Sequence, residues 1–345
     1  MFDFVKTDLV NTKIAVVIPA YRVDNQIQTV LSAIPDYVNL IIVVNDASPD
    51  NTREKVEAVH DPRIHLINHE HNQGVGGAMR SGYSYALSQG AEIIVKVDGD
   101  DQMDLSYLPY LIEPILNNEA DYTKGNRFLH QAELKRMPLL RRIGNYGLTF
   151  MTKLASGYWN IFDPTNGYTA IRATALTEIP PEHIATNYFF ETSMLCELRM
   201  INAVVKDIAI PARYQTEKSS VSIPREFFIF LTNLTQRSIH RIFTRYFLFD
   251  FTAASLYFVM GVILGLFGII WGIAKWAESI ESGIPASTGT VLLAVLPIIL
   301  AVQFLTQAVA QDIADIPTKI QHNKVSERTR QKWDFETKNK EQNFT

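Results

Sequence analysis

Val95-Lys96-Val97-Asp98-Gly99-Asp100-Asp101-Gln102 is the stretch from which the rest of this sequence can be read. Residues 93–97 form a short apolar run that reads as a buried strand, and the chain then passes at once into three carboxylates and an amide. On an extended segment Asp98, Asp100 and Gln102 would point the same way, because side chains alternate with a period of two. Oxygen donors at that spacing suit a hard divalent cation, Mg²⁺ or Mn²⁺, which commonly reaches a protein already attached to phosphates. An acidic turn after a strand is the plain alternative, but capping a helix takes one acid and this turn carries three.

Upstream the pattern is regular. Residues 13–18, 40–44, 64–68 and 92–97 are strand-length apolar runs, and residues 25–34, 51–60 and 76–89 between them have helical character. Apolar runs alternating with helices predict an α/β fold with a mostly parallel sheet covered on both faces. Ligands of such sheets lie beyond the carboxyl ends of the strands, so the turns after the first, second and fourth strands should converge. Tyr21 offers a flat face there, and Asp46 an acceptor for a base or a ribose. The stretch Asn72-Gln73-Gly74-Val75-Gly76-Gly77-Ala78 leads into a helix with free N–H groups and little bulk. It matches neither the phosphate-loop pattern nor Gly-x-Gly-x-x-Gly, and close helix packing would explain it equally well.

With 345 residues, 47% of them hydrophobic, the chain can bury a full core and still have roughly a hundred residues for something else. A formal net charge of -4 argues against a nucleic-acid partner, whose phosphates call for a basic surplus. The single cysteine, Cys196, excludes an internal disulfide framework and a Cys-rich metal site. Residues 1–11 lack a basic, then apolar, leader pattern, so no signal peptide is expected.

The order of motifs resembles a known family. Ile18-Pro19-Ala20-Tyr21, then Val44-Asn45-Asp46-Ala47-Ser48-Pro49-Asp50-Asn51-Thr52, then Asn72-x-Gly74, then Asp98-Gly99-Asp100-x-Gln102 are similar to the family 2 inverting glycosyltransferases of GT-A fold. The Asp98-x-Asp100-x-Gln102 group in particular resembles polyprenyl-phosphate glycosyltransferases of the dolichyl-phosphate mannose synthase type, over about residues 12–222. The resemblance implies that Pro19, Tyr21, Asp46 and Gly74 hold the nucleoside side of a nucleotide sugar. It implies that Asp98, Asp100 and Gln102 bind Mg²⁺ or Mn²⁺ on the diphosphate. Two positions depart from the family pattern: Val23 stands two residues after Tyr21 where an acid is usual, and Asn45 replaces the first acid of Asp-Asp-Gly-Ser.

The resemblance extends downstream. In Gly125-Asn126-Arg127 it implies a phosphate clamp by Arg127, a task suited to a forked guanidinium, with Lys124 as a weaker candidate. Residues 133–142, with four cations, read either as a mobile loop beside an anionic substrate or as a solvated face. Asp163-Pro164-Thr165-Asn166-Gly167-Tyr168 is similar to the acceptor-side turn, which casts Asp163 as an orienting residue. Glu191 stands where relatives place a base-bearing Glu-Asp pair, but Thr192 replaces the second acid. Arg213 and Lys218 fall in the stretch that folds over the phosphates.

From Pro224 the composition changes. Phenylalanines, leucines and isoleucines interleave with Arg225, Arg237, His240, Arg241 and Arg245 at helical spacing up to Tyr246, the pattern of an amphipathic helix on a membrane surface. Residues 251–274 carry no charge, enough to span a bilayer, and residues 291–310 give a second span with a kink expected at Pro297. The loop between them holds one lysine, whereas both flanks are rich in arginine and lysine, so both flanks are expected inside. The tail from Thr318 is polar, and disorder is expected there. The domains expected are a cytoplasmic catalytic domain (1–222), an amphipathic helix (223–247), a transmembrane hairpin (248–312) and a polar tail (313–345).

The implied activity is transfer of a hexose from a UDP- or GDP-linked donor to a polyprenyl phosphate at the cytoplasmic face of the cell membrane, serving cell-envelope glycan synthesis. A lipid phosphate, with a second pKa near 6, is already ionised and needs no strong base, which fits the missing acid after Glu191. A homo-oligomer is expected. The alternatives are transfer to a glycolipid or polysaccharide hydroxyl and a non-catalytic membrane scaffold.

Overall fold

The computed structural model describes residues 12–127, 139–211, 223–249 and 251–322. The chain divides into two compact units, one running to Arg237 and resuming at Pro317, the other Ser238–Ile316. The division falls inside the amphipathic helix.

The first unit is built on β1 (Ile14–Ala20), β2 (Leu40–Asn45), β3 (Ile64–Asn68), β4 (Ile93–Lys96), β5 (Tyr122–Asn126), β6 (Thr169–Arg172) and β7 (Val205–Ala209). They form one sheet in the order β3-β2-β1-β4-β6-β5-β7. β1 pairs in parallel with β2 and β4, β2 with β3 and β5 with β7, while β6 runs antiparallel to both β4 and β5. β1 and β2 are apolar on both faces because both are covered: Ile14, Val16, Ile18, Ile41 and Val43 are fully buried in one core with Ile27, Leu108 and Ile112, and Ala15, Val17, Ile42 and Val44 are fully buried on the other face. The covering helices are α1 (Ile27–Ser32), α2 (Thr52–Glu57), α3 (Gly74–Ser88) and α4 (Leu108–Leu116), followed by α5 (Leu139–Ser156), α6 (Ala173–Glu178) and α7 (Phe190–Met200).

The parallel half is the one the alternation predicts. β6 is new: four residues, Thr-Ala-Ile-Arg, directly after a polar turn, too short to show a period. Its placement matters because Thr169 stands opposite both Lys96 and Lys124, at the carboxyl ends of β4 and β5. The Asp163–Tyr168 turn thereby reaches the same sheet edge as the acidic turn and Arg127. Within the tail, His322 is not frayed: it is 3% exposed, its Nε2 lies 3.0 Å from the Ile201 carbonyl, and its own carbonyl accepts from Thr174.

α8 (Ile223–Phe243) leads out of the first unit and is followed by a π-helical turn, Thr244–Phe249. In the second unit α9 (Ala253–Ser282) and α10 (Thr288–Ala314) are both long and apolar enough to cross a membrane. α9 begins in a capping box between Thr252 and Ser255 and ends at Gly283 in the left-handed region. Small residues bring the pair together: Gly261 packs against Leu305 and Ala301, and Gly268 against Ile298 and Ala294. Of the cations expected on a membrane-surface helix, Arg237, Arg241 and Arg245 are paired within the protein. Arg237 bonds to Glu197 and to the His183 carbonyl in the first unit. In the second, Arg241 forms a two-pronged pair with Asp312 at 2.7 and 3.0 Å, and Arg245 meets Asp315 at 2.5 Å.

Candidate functional site

Beyond β4 the chain does not stay extended. Residues 98–101 turn sharply, with Asp101 at φ 57, so the alternation argument for Asp98, Asp100 and Gln102 does not describe the local backbone. The turn nevertheless delivers all three to one cleft, together with Asp104, Arg127, Asn166, Gly167 and Pro211. The Asp98 N–H donates to the Met103 sulfur at 3.3 Å, and the Gln102 N–H to Asp100 Oδ1 at 3.1 Å, which hold the turn in shape.

Lys96 is the residue the sequence reading passed over. It is 1% exposed at the end of β4, and its Nζ lies 2.5 Å from Asp98 Oδ1 and 3.3 Å from Glu191 Oε1. Burial alone would lower the ammonium's pKa, but the charges of Asp98 and Glu191 and their hydrogen bonds outweigh it and hold it above its ordinary value. A lysine inside an otherwise apolar strand was the available signal, since lysine is almost never fully buried unless paired. Gly167 leaves room for this contact: a Cβ there would lie 2.4 Å from Lys96 Nζ and 2.6 Å from Asp98 Oδ2. Asp100 stands next to this pair, and burial, then the Asp98 charge, raise its pKa.

Arg127 closes the cleft from the side of β5. Its Nε is 2.8 Å from Asp163 Oδ2 and its Nη2 3.1 Å from Oδ1, while its backbone N–H donates to Oδ2 at 3.2 Å. Asp163 is fully buried, so its carboxylate aims Arg127 and does not itself line the cleft. Glu191, at the start of α7, is held by Lys96 and is likewise absent from the lining. Lys124 is fully buried and donates to the Asn166 carbonyl; burial lowers its pKa to about 8. It anchors the Asp163–Tyr168 turn and is not free to meet a phosphate.

The nucleoside side differs from expectation. Tyr21 is 43% exposed, with the Arg22 guanidinium 5.4 Å from its ring centre. Pro19 lies within β1, paired in register with Val44. Asp46 is 3% exposed, and its carboxylate accepts from His69 Nδ1 (2.7 Å) and from the N–H groups of Gln73 and Gly74 (2.8 Å each). It caps the start of α3, with both of its oxygens engaged inside the protein. Gly74 gives its N–H to Asp46 and Asn72, so it presents none to a ligand. Gly76 serves packing: its N–H donates to the Thr186 carbonyl, and a Cβ there would lie 1.9 Å from the Ala185 carbonyl. Arg213 and Lys218 lie outside the described residues.

Among the described residues no three His, Cys, Asp or Glu side chains form a group that could hold a metal ion. The acidic turn instead offers two carboxylates and an amide, a donor set that suits a hard cation sharing further ligands with a substrate.

Residues 15–179 match the family described as Glycosyl transferase family 2. A UDP-N-acetylglucosamine–dolichyl-phosphate N-acetylglucosaminyltransferase from Methanococcus voltae is 32% identical over 190 residues, covering 51% of this chain and 75% of that protein. An undecaprenyl-phosphate mannosyltransferase from Micrococcus luteus is 27% identical over 203 residues, covering 57% and 82%. Glucosyl-3-phosphoglycerate synthase from Mycobacterium tuberculosis, crystallised with UDP, matches in structure with a TM-score of 0.51 at 17% identity, over 70% of this chain and 84% of that one. That likeness shows the GT-A fold.

Proposed function

This chain belongs to glycosyl transferase family 2, and we propose that it transfers a hexose from a nucleotide sugar, UDP- or GDP-linked, to a polyprenyl phosphate at the cytoplasmic face of a membrane. The observation that carries the choice of acceptor is the state of the two acids available as bases. Asp163 is held by Arg127 and Glu191 by Lys96, so each carboxylate is already committed to a cation. A hydroxyl acceptor needs a base to take its proton, whereas a phosphate oxygen is ionised at neutral pH. Relatives named for transfer to dolichyl and undecaprenyl phosphate support the same reading.

Asp98, Asp100 and Gln102 would hold a divalent cation. Such an ion acts as a Lewis acid that stabilises a leaving diphosphate; the structural relative has been crystallised with Mn²⁺ and UDP-glucose. Lys96 orients the Asp98 carboxylate, and Arg127, aimed by Asp163, faces the phosphates across the cleft. The two apolar helices anchor the chain in the membrane, where a polyprenyl phosphate resides. The basic residues that flank the hairpin on both sides support a cytoplasmic position for both flanks.

The test is purified full-length protein in detergent with Mg²⁺ or Mn²⁺, a panel of nucleotide sugars and a short polyprenyl phosphate. A glycosyl phospholipid is expected from one donor. Transfer to a hydroxyl acceptor alone, or no turnover of any donor, would reject the reading. Orientation is checked in a Cys196→Ser background: Ser282→Cys should label with an impermeant thiol reagent in intact cells and Thr345→Cys should not.

A further inference from the structure

Arg127 and Asp163 lie 36 residues apart in sequence, yet their side chains meet beside the cleft that Arg127 lines. The residue before each of them is held by one and the same atom. Oδ2 of Asp207, on β7, accepts from Asn126 Nδ2 at 2.7 Å and from the Phe162 N–H at 2.8 Å. The register makes this reach possible: Asp207 stands opposite Lys124 and Ala209 opposite Asn126, so the side chain leans two residues along β5. Its other oxygen, Oδ1, is buried without a hydrogen-bond partner. An acid on an edge strand, with one oxygen making two bonds and the other none, is costly to keep for stability alone.

We infer that Asp207 is a positioning residue, which fixes Asn126 and Phe162 so that Arg127 and Asp163 meet and the arginine faces the cleft. The assignment rests on the proposed role of Arg127 at the phosphates. What matters in it is the acceptor oxygen and not the charge. An asparagine can place its carbonyl where Oδ2 stands and its amide in the place of the unpartnered Oδ1. An alanine leaves both donors without their acceptor and releases the two segments from each other. Protonation of Asp207 on Oδ1 would likewise leave the bridge intact.

The experiment compares Asp207→Asn and Asp207→Ala in the full-length protein by two readouts. The first is amide hydrogen exchange at Phe162 and Arg127, which reports the bridge whatever the reaction proves to be. Protection should fall at least tenfold in the alanine variant and stay within threefold of wild type in the asparagine variant. The second is turnover: kcat for transfer should fall at least tenfold in the alanine variant, nucleotide affinity should fall with it because Arg127 no longer faces the phosphates, and asparagine should restore both. A merely structural role would lower the melting temperature without separating asparagine from alanine in kcat or nucleotide affinity. A folded alanine variant with wild-type protection and kcat overturns the assignment. So does an asparagine variant that loses Phe162 protection, a result that decides the matter even where alanine prevents folding. A wild-type chain that glycosylates no polyprenyl phosphate would count against the proposed function and leave the exchange readout standing.

Discussion

The turns after β2 and β4 leave the same edge of the sheet, and each begins with a pair of polar residues, Asn45-Asp46 in one and Asp98-Gly99-Asp100 in the other. Their charges are used in opposite ways. Asp46 faces the start of α3, where the first N–H groups have no partner inside the helix, and it takes two of them together with His69. The helical segment after β4 also needs a cap, but Asp104 supplies it, accepting from the Ser106 N–H at 3.0 Å. Asp98 and Asp100 are thereby left for the cleft. The comparison teaches that an acid near a strand end reaches a cleft only where another residue has already satisfied the helix that follows.

The largest effect should come from the open turn. Asp100→Asn is expected to lower transfer about a thousandfold, roughly 4 kcal/mol at 1.36 kcal/mol per tenfold, with the melting temperature unchanged or slightly raised because burial disfavours its charge. Wild-type activity in this variant, with metal present, would remove the turn from the site. Next comes a charge used wholly inside the protein. Arg241→Gln takes the guanidinium away from the buried Asp312 and should destabilise the second unit by about 3 kcal/mol, read by thermal unfolding in detergent. A variant of normal stability whose Michaelis constant for lipid phosphate rises would restore the lipid-facing role that the sequence suggests for these arginines.

Asp46→Ala should cost about 2 kcal/mol, because the Gln73 and Gly74 N–H groups lose their acceptor at the start of α3. Nucleotide affinity, measured by calorimetry well below the melting temperature of the variant, should change less than a few-fold. The opposite outcome, normal stability with lost nucleotide binding, would make the two turns alike and break the comparison.

The parallel half of the sheet and the acidic turn were legible because each is written in a short stretch. Continuous apolar runs mark buried strands, and three acids in four residues mark a site. The apolar hairpin was legible for the same reason. What could not be read is which polar groups satisfy one another across the fold. Lys96 meets Glu191 across the sheet and Arg241 meets Asp312 across the helices, and no local pattern carries either pairing. Asp46 looked like a ligand because its three donors, two of them backbone N–H groups, lie more than twenty residues away. β6 was missed because four residues entering a sheet antiparallel carry no signal of direction, yet its position is what brings Asp163 to Arg127.

The smallest effect separates a satisfied carboxylate from a half-satisfied one. Around Asp50 burial pulls the pKa upward, but the Ser48 and Thr52 hydroxyls and the Asp24 and Thr52 N–H groups prevail and hold it at about 2. Around Asp207 burial prevails and pushes the pKa up to about 6, with the Phe162 N–H, the Asn126 amide and the Lys124 charge opposing and Asp163 adding to it. Against an unfolded value near 3.9 the signs differ. Asp50 adds stability above about pH 4 that disappears as pH falls toward 2. Asp207 binds its proton more tightly when folded, so its contribution declines as pH rises from about 4 to about 6 and stays low above that, on the order of 1–2 kcal/mol after screening. Thermal unfolding between pH 4 and pH 7 should therefore show wild type losing a few degrees relative to Asp207→Asn as pH rises. A gap that does not change with pH would mean that Asp207 ionises as freely as an exposed acid, and the contrast between the two aspartates would be lost.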